Sequence, residues 1–202
     1  MFIWARTGMK QSKKIAVTGG IGSGKSTVLK IIAQKGYPVF SCDEIYAELI
    51  KDKKFLAKLC DKFGDILNED GGLDRKKLSS IVFGDREKLA RLDALTHPAI
   101  YSEMFRRVDE TWGLCFCEVP LLFESGGEEL FDGVIVVLRD EKQRIESVAK
   151  RDNCAESDVQ SRINNQFDYN KLNFTKYYVL HNNGNLEQLS AQIDDILQRI
   201  EK

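Results

Sequence analysis

Apolar residues follow two rhythms along this chain. Short continuous runs at 14–18 (KIAVT), 37–41 (YPVFS), 114–119 (LCFCEV), 133–138 (GVIVVL) and 176–180 (KYYVL) read as five strands. Continuity, in place of apolar-polar alternation, is what a parallel sheet covered on both faces demands. Segments of helical period lie between them. STVLKIIAQKG (26–36) follows the first strand and is closed by Gly36. Residues 186–200 place Leu186, Leu189, Ile193, Ile196, Leu197 and Ile200 on one face of a closing amphipathic helix. Strands alternating with helices predict an α/β fold, a five-stranded parallel sheet flanked by helices.

Two stretches are too long for simple crossovers. Residues 44–113 carry three helical patterns, KFLAKLCDKFG, DRKKLSSIVFG and REKLARLDALTHPAIYSEMFRRVDE, and read as a helical insertion. The His97-Pro98 step is expected to break the third, because proline disfavours helical geometry in the residue before it. Residues 140–174 form a second helical excursion, rich in charge. No repeat, low-complexity tract or linker-like run divides the chain, so 1–202 reads as one domain. Its core spans about 13–43, 114–139 and 175–202, with the insertion at 44–113 and a lid-like excursion at 140–174. Both excursions would stand over the carboxyl edge of the sheet, where open α/β sheets bind ligands.

Charge narrows the classes of partner. Thirty basic residues against 31 acidic ones leave a formal net charge of -1, so no overall field draws the chain to nucleic acid or to an anionic membrane. No apolar run approaches the length of a membrane span, and the opening MFIWARTGMK is interrupted by Arg6 too early for a secretory segment. Met9 offers an alternative start, and the first ten residues carry no functional reading. The five cysteines, Cys42, Cys60, Cys115, Cys117 and Cys154, are odd in number and scattered. Cys115 and Cys117 share a strand face; His97 and His181 are too isolated to complete a zinc site with them. Core thiols in a reduced, cytoplasmic setting are the expectation.

One motif changes the picture. Gly19 to Ser26 fits G-x-x-x-x-G-K-S/T, with a strand before it and a helix after it. Gly20, Gly22 and Gly24 would let backbone N–H groups, that of Ser23 among them, converge on phosphate oxygens with no Cβ at the glycines to stand in the way. Lys25 would put a point charge on the β and γ phosphates, Ser26 a hydroxyl on Mg²⁺, and Thr27 a contact to the α-phosphate. The positive end of the following helix adds to the same site. The chain is therefore expected to bind a nucleoside triphosphate.

The cradle alone does not choose among a switch, a transport ATPase and a kinase. A guanine-specific Asn-Lys-x-Asp is absent, since NKLN (170–173) lacks the aspartate and precedes the last strand. DKFG (61–64) lies in helical pattern, and ESGGEE (124–129) follows the acidic strand that a transport signature would precede. A small-molecule kinase explains more: the insertion would supply a second substrate site. The excursion, with Arg144, Lys150, Arg151 and Arg162, would supply a mobile basic element to neutralise the transferring charge. Another nucleotide or nucleoside kinase, or a non-kinase ATP-binding regulatory module, stays open on these residues alone.

From about Lys13 onward the chain resembles the dephospho-CoA kinase family. The resemblance rests on TGGIGSGKST (18–27), CDEI (42–45), GGLDRKKLSSIVF (71–83), THPAI (96–100), VPLLFES (119–125), KRD (150–152), RINNQ (162–166) and VLHNNG (179–184). It implies a P-loop kinase fold with a nucleotide core, a helical CoA-binding part and a lid. It also implies ATP- and Mg²⁺-dependent phosphorylation of the ribose 3′-hydroxyl of dephospho-CoA, the last step of coenzyme A synthesis. Asp43 matches the aspartate taken to accept or orient the attacking hydroxyl; its alternative is to cap the helix at 44–50. Arg151 is the implied lid cation. Asn182 and Gly184 would form the loop near adenine, Pro120 to Glu124 would line the crevice, and His97 would meet substrate or cap a broken helix. Two positions depart from the family pattern. Ser41 stands where the family has an aspartate, and Ser147 where its lid has a further arginine, for which Arg144 compensates one turn earlier. No nucleic-acid or membrane partner is expected, and the chain is expected to be a monomer or a weak homo-oligomer.

Overall fold

The computed structural model describes residues 12–202; the opening segment with Met9 lies outside them. Five strands, β1 (Lys13–Thr18), β2 (Val39–Ser41), β3 (Leu114–Glu118), β4 (Gly133–Leu138) and β5 (Tyr178–His181), form one sheet in the order β2-β3-β1-β4-β5. β1 is central and parallel to both β3 and β4, and β4 is parallel to β5. Its position follows from its residues: Ile15, Ala16, Val17 and Thr18 are all buried, which only an inner strand covered on both faces achieves.

Eight helices complete the described residues: α1 (Lys25–Gln34), α2 (Cys42–Leu49), α3 (Lys53–Phe63), α4 (Arg75–Val82), α5 (Arg86–Asp109), α6 (Glu141–Asp152), α7 (Glu156–Asn164) and α8 (Leu186–Glu201). They fall into two compact units. One holds the described residues up to Val39 together with Thr111–Lys202, and the other is Phe40–Glu110. In the first, Ile15, Val17, Phe116, Ile135, Val137 and Leu180 present one sheet face to Val28, Leu29 and Ile32 of α1 and to Leu189, Ile193, Ile196, Leu197 and Ile200 of α8. Five of the six apolar positions read from 186–200 form the stripe that α8 buries; Leu186, its first residue, stays exposed. In the second unit, Phe55, Leu56, Leu59, Ile66, Leu78 and Val82 form a separate small core. Cys115 and Cys117 are both fully buried on β3, and burial pushes the Cys115 thiol pKa up.

Local chemistry shifts three expectations. The step at His97-Pro98 does not break its helix: α5 runs unbroken from Arg86 to Asp109 with Pro98 inside. Proline forfeits one backbone hydrogen bond there, but α5 packs along both α2 and α4, and Arg107 is held by Glu103 and by Glu48 of α2. Tertiary packing outweighs the local penalty. His97 lies on this helix 3.7 Å from Asp93. The helix after β2 starts at Cys42, so Ser41 takes the cap position and Asp43 sits within the first turn, where an acid favours the helix dipole. β5 begins two residues later than its apolar run, because Asn173 caps a short 3₁₀ turn at Phe174–Lys176, accepting from the Thr175 N–H.

Candidate active site

The loop from Gly19 to Gly24 joins the carboxyl end of β1 to α1, and its glycines are there for space as well as for backbone freedom. Gly24 has φ 95°, and a Cβ on it would stand 2.1 Å from Asn182 Nδ2. A Cβ on Gly20 would stand 2.4 Å from an Arg144 guanidinium nitrogen, and one on Gly19 2.3 Å from the Val137 carbonyl oxygen. Each is inside contact distance, so the loop is tightly enclosed and none of these positions admits a side chain unchanged. Within the loop, the Ser23 N–H donates to the Gly20 carbonyl (3.1 Å), and the Thr27 and Val28 N–H groups reach back to Gly24 (3.0 and 3.1 Å).

The helix start is left open by its chemistry. α1 has no side-chain cap and no acid in its first turn. By contrast α3, α4, α5, α6 and α8 are capped by Asp52, Asp74, Asp85, Asp140 and Asn185. The positive dipole end of α1, which no side chain answers, is thereby kept for an anion. Lys25 leans over the loop, donating from Nζ to the Gly19 carbonyl (2.6 Å) and, more weakly, to Gly20 (3.4 Å). Beneath the loop, the Thr18 and Ser23 hydroxyls are fully buried with no hydrogen-bond partner. The Tyr169 hydroxyl faces Thr18 and Gly19 without completing a bond of good geometry to either, and burial pushes its pKa up to about 12.

Four side chains from the later half of the chain hold the loop. Asn182 donates to the Ser23 carbonyl (2.9 Å), Arg144 from Nε to the Ile21 carbonyl (2.8 Å), and Arg139 to the Gly22 carbonyl (3.4 Å). The Gln166 side-chain oxygen accepts the Ile21 N–H (2.8 Å). Arg144 is half-buried and in no ion pair among the described residues; burial lowers its pKa. Arg151, the lid cation expected from the resemblance, turns to Asp152 (2.7 Å), which also holds Arg162 (2.9 Å). Ser147, at the place of the missing arginine, donates to the Arg144 carbonyl (3.1 Å) and meets Arg139 (3.3 Å). Arg139 and Gln166 were not singled out by sequence reasoning. Arg139 carried a signal, being a lone cation just past an apolar strand; Gln166 carried none beyond its place in RINNQ.

Beside the loop, a cleft of about 620 Å³ is lined by Gly24, Thr27, Arg139, Asn182, Gly184 and Leu186 among others. It has the size of a pocket for a small planar group. Gly184 also serves a local purpose, since a Cβ there would stand 1.9 Å from the Gln188 side-chain oxygen that completes the capping box of α8. Across β1, Glu118 ends β3 in register with Val17, which puts a carboxylate at the sheet edge two residues before Gly19. Sequence reasoning noted an acidic strand there without assigning the residue. Glu118 and the exposed Ser26 are hard oxygen donors of the kind Mg²⁺ prefers. Among the described residues no cluster of three or more His, Cys, Asp or Glu side chains forms an all-protein cage. In the crevice segment, the Glu124 carboxylate accepts the Phe167 N–H (3.0 Å), and Phe123 packs on Phe167, Tyr169 and Tyr177.

A glycine cradle on the central strand of a parallel sheet, a lysine over it and an uncapped helix behind it define a P-loop nucleotide-binding protein of the kinase type. Comparison with known proteins narrows the class. Residues 13–188 match the family model described as CoaE, dephospho-CoA kinase. The dephospho-CoA kinase of Bdellovibrio bacteriovorus is 38% identical over 196 residues, covering 94% of this chain and 97% of that one. Among solved structures, TT1252 from Thermus thermophilus superposes with a TM-score of 0.83 at 31% identity over 94% of this chain and 98% of that one. Dephospho-CoA kinase from Campylobacter jejuni gives 0.67 at 27% over 93% and 96%. The chain belongs to the dephospho-CoA kinase family.

Proposed function

We propose that this chain transfers the γ-phosphoryl group of ATP to the ribose 3′-hydroxyl of dephospho-CoA, giving coenzyme A and ADP in the last step of coenzyme A synthesis. The observation that carries the nucleotide half is the loop itself: glycines with no room for a Cβ, leading into a helix that no side chain caps. Family membership carries the acceptor half.

In this reading the triphosphate lies along Gly20 to Thr27, with Lys25 moving from the Gly19 carbonyl to the β and γ phosphates. The base enters the cleft beside Asn182 and Arg139, where a guanidinium is suited to stack on a planar ring. Mg²⁺, when bound through Ser26 and Glu118, supplies positive charge to the phosphate oxygens. Asp43 follows the carboxyl end of β2 as the glycine loop follows that of β1. Its carboxylate takes the proton of the attacking hydroxyl and orients its oxygen. A bond forms from that oxygen to the γ-phosphorus, the bond to the β–γ bridging oxygen breaks, and ADP leaves with its charge held by Lys25 and Arg144. Arg151 joins them when the helix pair α6–α7 moves and Asp152 releases it. Residues 44–113 serve as the CoA-binding insertion and 140–174 as the lid. The enzyme acts in the cytoplasm as a monomer or weak homo-oligomer, without nucleic-acid or membrane partners; no helix among the described residues is long and apolar enough to cross a membrane.

The test is mass spectrometry of products after incubation with Mg-ATP and dephospho-CoA, with AMP, thymidylate and adenosine as competing acceptors. One added phosphoryl group on dephospho-CoA alone is the expected outcome; transfer to another acceptor instead would overturn the substrate. Asp43→Asn is expected to cut turnover about a hundredfold while ATP affinity and melting temperature hold. Loss of both would assign Asp43 to structure.

A further inference from the structure

Ile21 stands out within the phosphate loop. It belongs to no strand or helix, and its two backbone polar groups are each held by one side chain. Its N–H donates to Gln166 Oε1 (2.8 Å), and its carbonyl accepts from Arg144 Nε (2.8 Å). The two partners come from different segments. Arg144 is on α6, and Gln166 lies just past α7, anchored there by its own N–H to the Ile163 carbonyl (3.1 Å). The neighbouring glycines are shaped around the same pair. A Cβ on Gly20 would meet both the Arg144 guanidinium (2.4 Å) and Gln166 Oε1 (3.4 Å), and one on Gly22 would meet the Arg144 carbonyl (2.8 Å).

The Ile21 N–H belongs to the peptide plane shared with Gly20, and the Ile21 carbonyl to the plane shared with Gly22. The two contacts hold both planes, so neither φ nor ψ of Ile21 can change without losing one contact or the other. The direction of its N–H fixes the directions of the amides beside it in the loop, because successive N–H groups of such a loop point where the chain's dihedrals send them. We propose that Gln166 and Arg144 are positioning residues, a two-point clamp on the two peptide groups that meet at Ile21, which sets the cradle for phosphate and ties nucleotide affinity to the α6–α7 helix pair. Gln166 suits this place because its amide oxygen satisfies the N–H without bringing a negative charge beside phosphates. The inference rests on the reading of Gly19 to Thr27 as the phosphate cradle.

The experiment is a titration of Mg-ATP, followed by calorimetry, into the wild type, Gln166→Met, Arg144→Met and the double variant, with Lys25→Met as control. Gln166→Met keeps the length and removes the acceptor; it is expected to weaken ATP about tenfold, the size of one hydrogen bond's worth, while the nucleotide-free melting temperature falls by only a few degrees. Because both side chains act through the backbone conformation of one residue, Ile21, the double variant is expected to lose less than the product of the single losses. Wild-type affinity in Gln166→Met, or losses that multiply, would overturn the clamp. Gln166→Asn repeats the test with a polar side chain too short to reach, and unfolding of both variants would overturn it too, assigning Gln166 to the fold. If Lys25→Met binds ATP like the wild type, the cradle reading itself fails; if only the Gln166 variants do, the cradle stands and the clamp falls.

Discussion

Helices α1 and α3 are nearly the same object. They are ten and eleven residues long, lack an acid in the first turn and bury one stripe, Val28, Leu29 and Ile32 in one and Phe55, Leu56 and Leu59 in the other. They differ at their first residue. Asp52 caps α3, its carboxylate accepting the Phe55 N–H at 2.8 Å, whereas Gly24 opens α1 in a left-handed conformation with no side-chain acceptor. A helix that ends its own electrostatic demand with a side chain is a finished structural part. One whose dipole no side chain answers is open to an anion. The pair sets a helix finished for stability beside one left open, and each variant below tests whether the open one is used for chemistry.

The largest expected effect is at Lys25. Lys25→Ala removes the cation from the open helix start while leaving a good helix former, so melting temperature is expected to hold within a few degrees and phosphoryl transfer to fall below detection. Near-normal turnover in that variant would show that the open end of α1 is not where phosphate is handled. Gly24→Ala comes next. A methyl there must accept φ 95° and displace the Asn182 amide, itself bonded to the Ser23 carbonyl. Backbone strain of about 1–2 kcal/mol is expected in stability. A rise in KM for ATP of about tenfold is expected as well, because the displaced amide lines the same cleft. A stability loss with unchanged KM would make Gly24 only a turn residue.

Much of this division was legible in the residues. The five strands, the cradle and the stripes of α1 and α8 come from apolar period and from a motif whose residue types are each required, so each was visible in one dimension. What escaped depends on contacts between distant segments. Pro98 was expected to end a helix because the cost is local and the compensation is not: the packing of α5 on α2 and α4 and the Glu48–Arg107 pair span dozens of residues. The loop-holding roles of Arg139 and Gln166 escaped for the same reason, since the partners of Gly22 and Ile21 lie more than a hundred positions away. Among the cations of α6, composition could not tell Arg144, which carries no ion pair among the described residues, from Arg151, which has Asp152 beside it.

The smallest expected effect completes the comparison from its other side. Asp52→Ala deletes the cap of α3 and leaves the Phe55 N–H to water, a loss of about 1 kcal/mol. For a chain of this size that lowers the melting temperature by roughly 2–4 °C. Turnover and KM for ATP are expected to stay within twofold, since the carboxylate answers only its own helix. Asp52→Asn, which retains an acceptor, should recover most of the stability. If the alanine variant instead lost catalysis with its fold intact, an N-terminal cap would be serving chemistry after all. An acid at a helix start could then no longer be read as structural, nor a glycine there as reserved for phosphate.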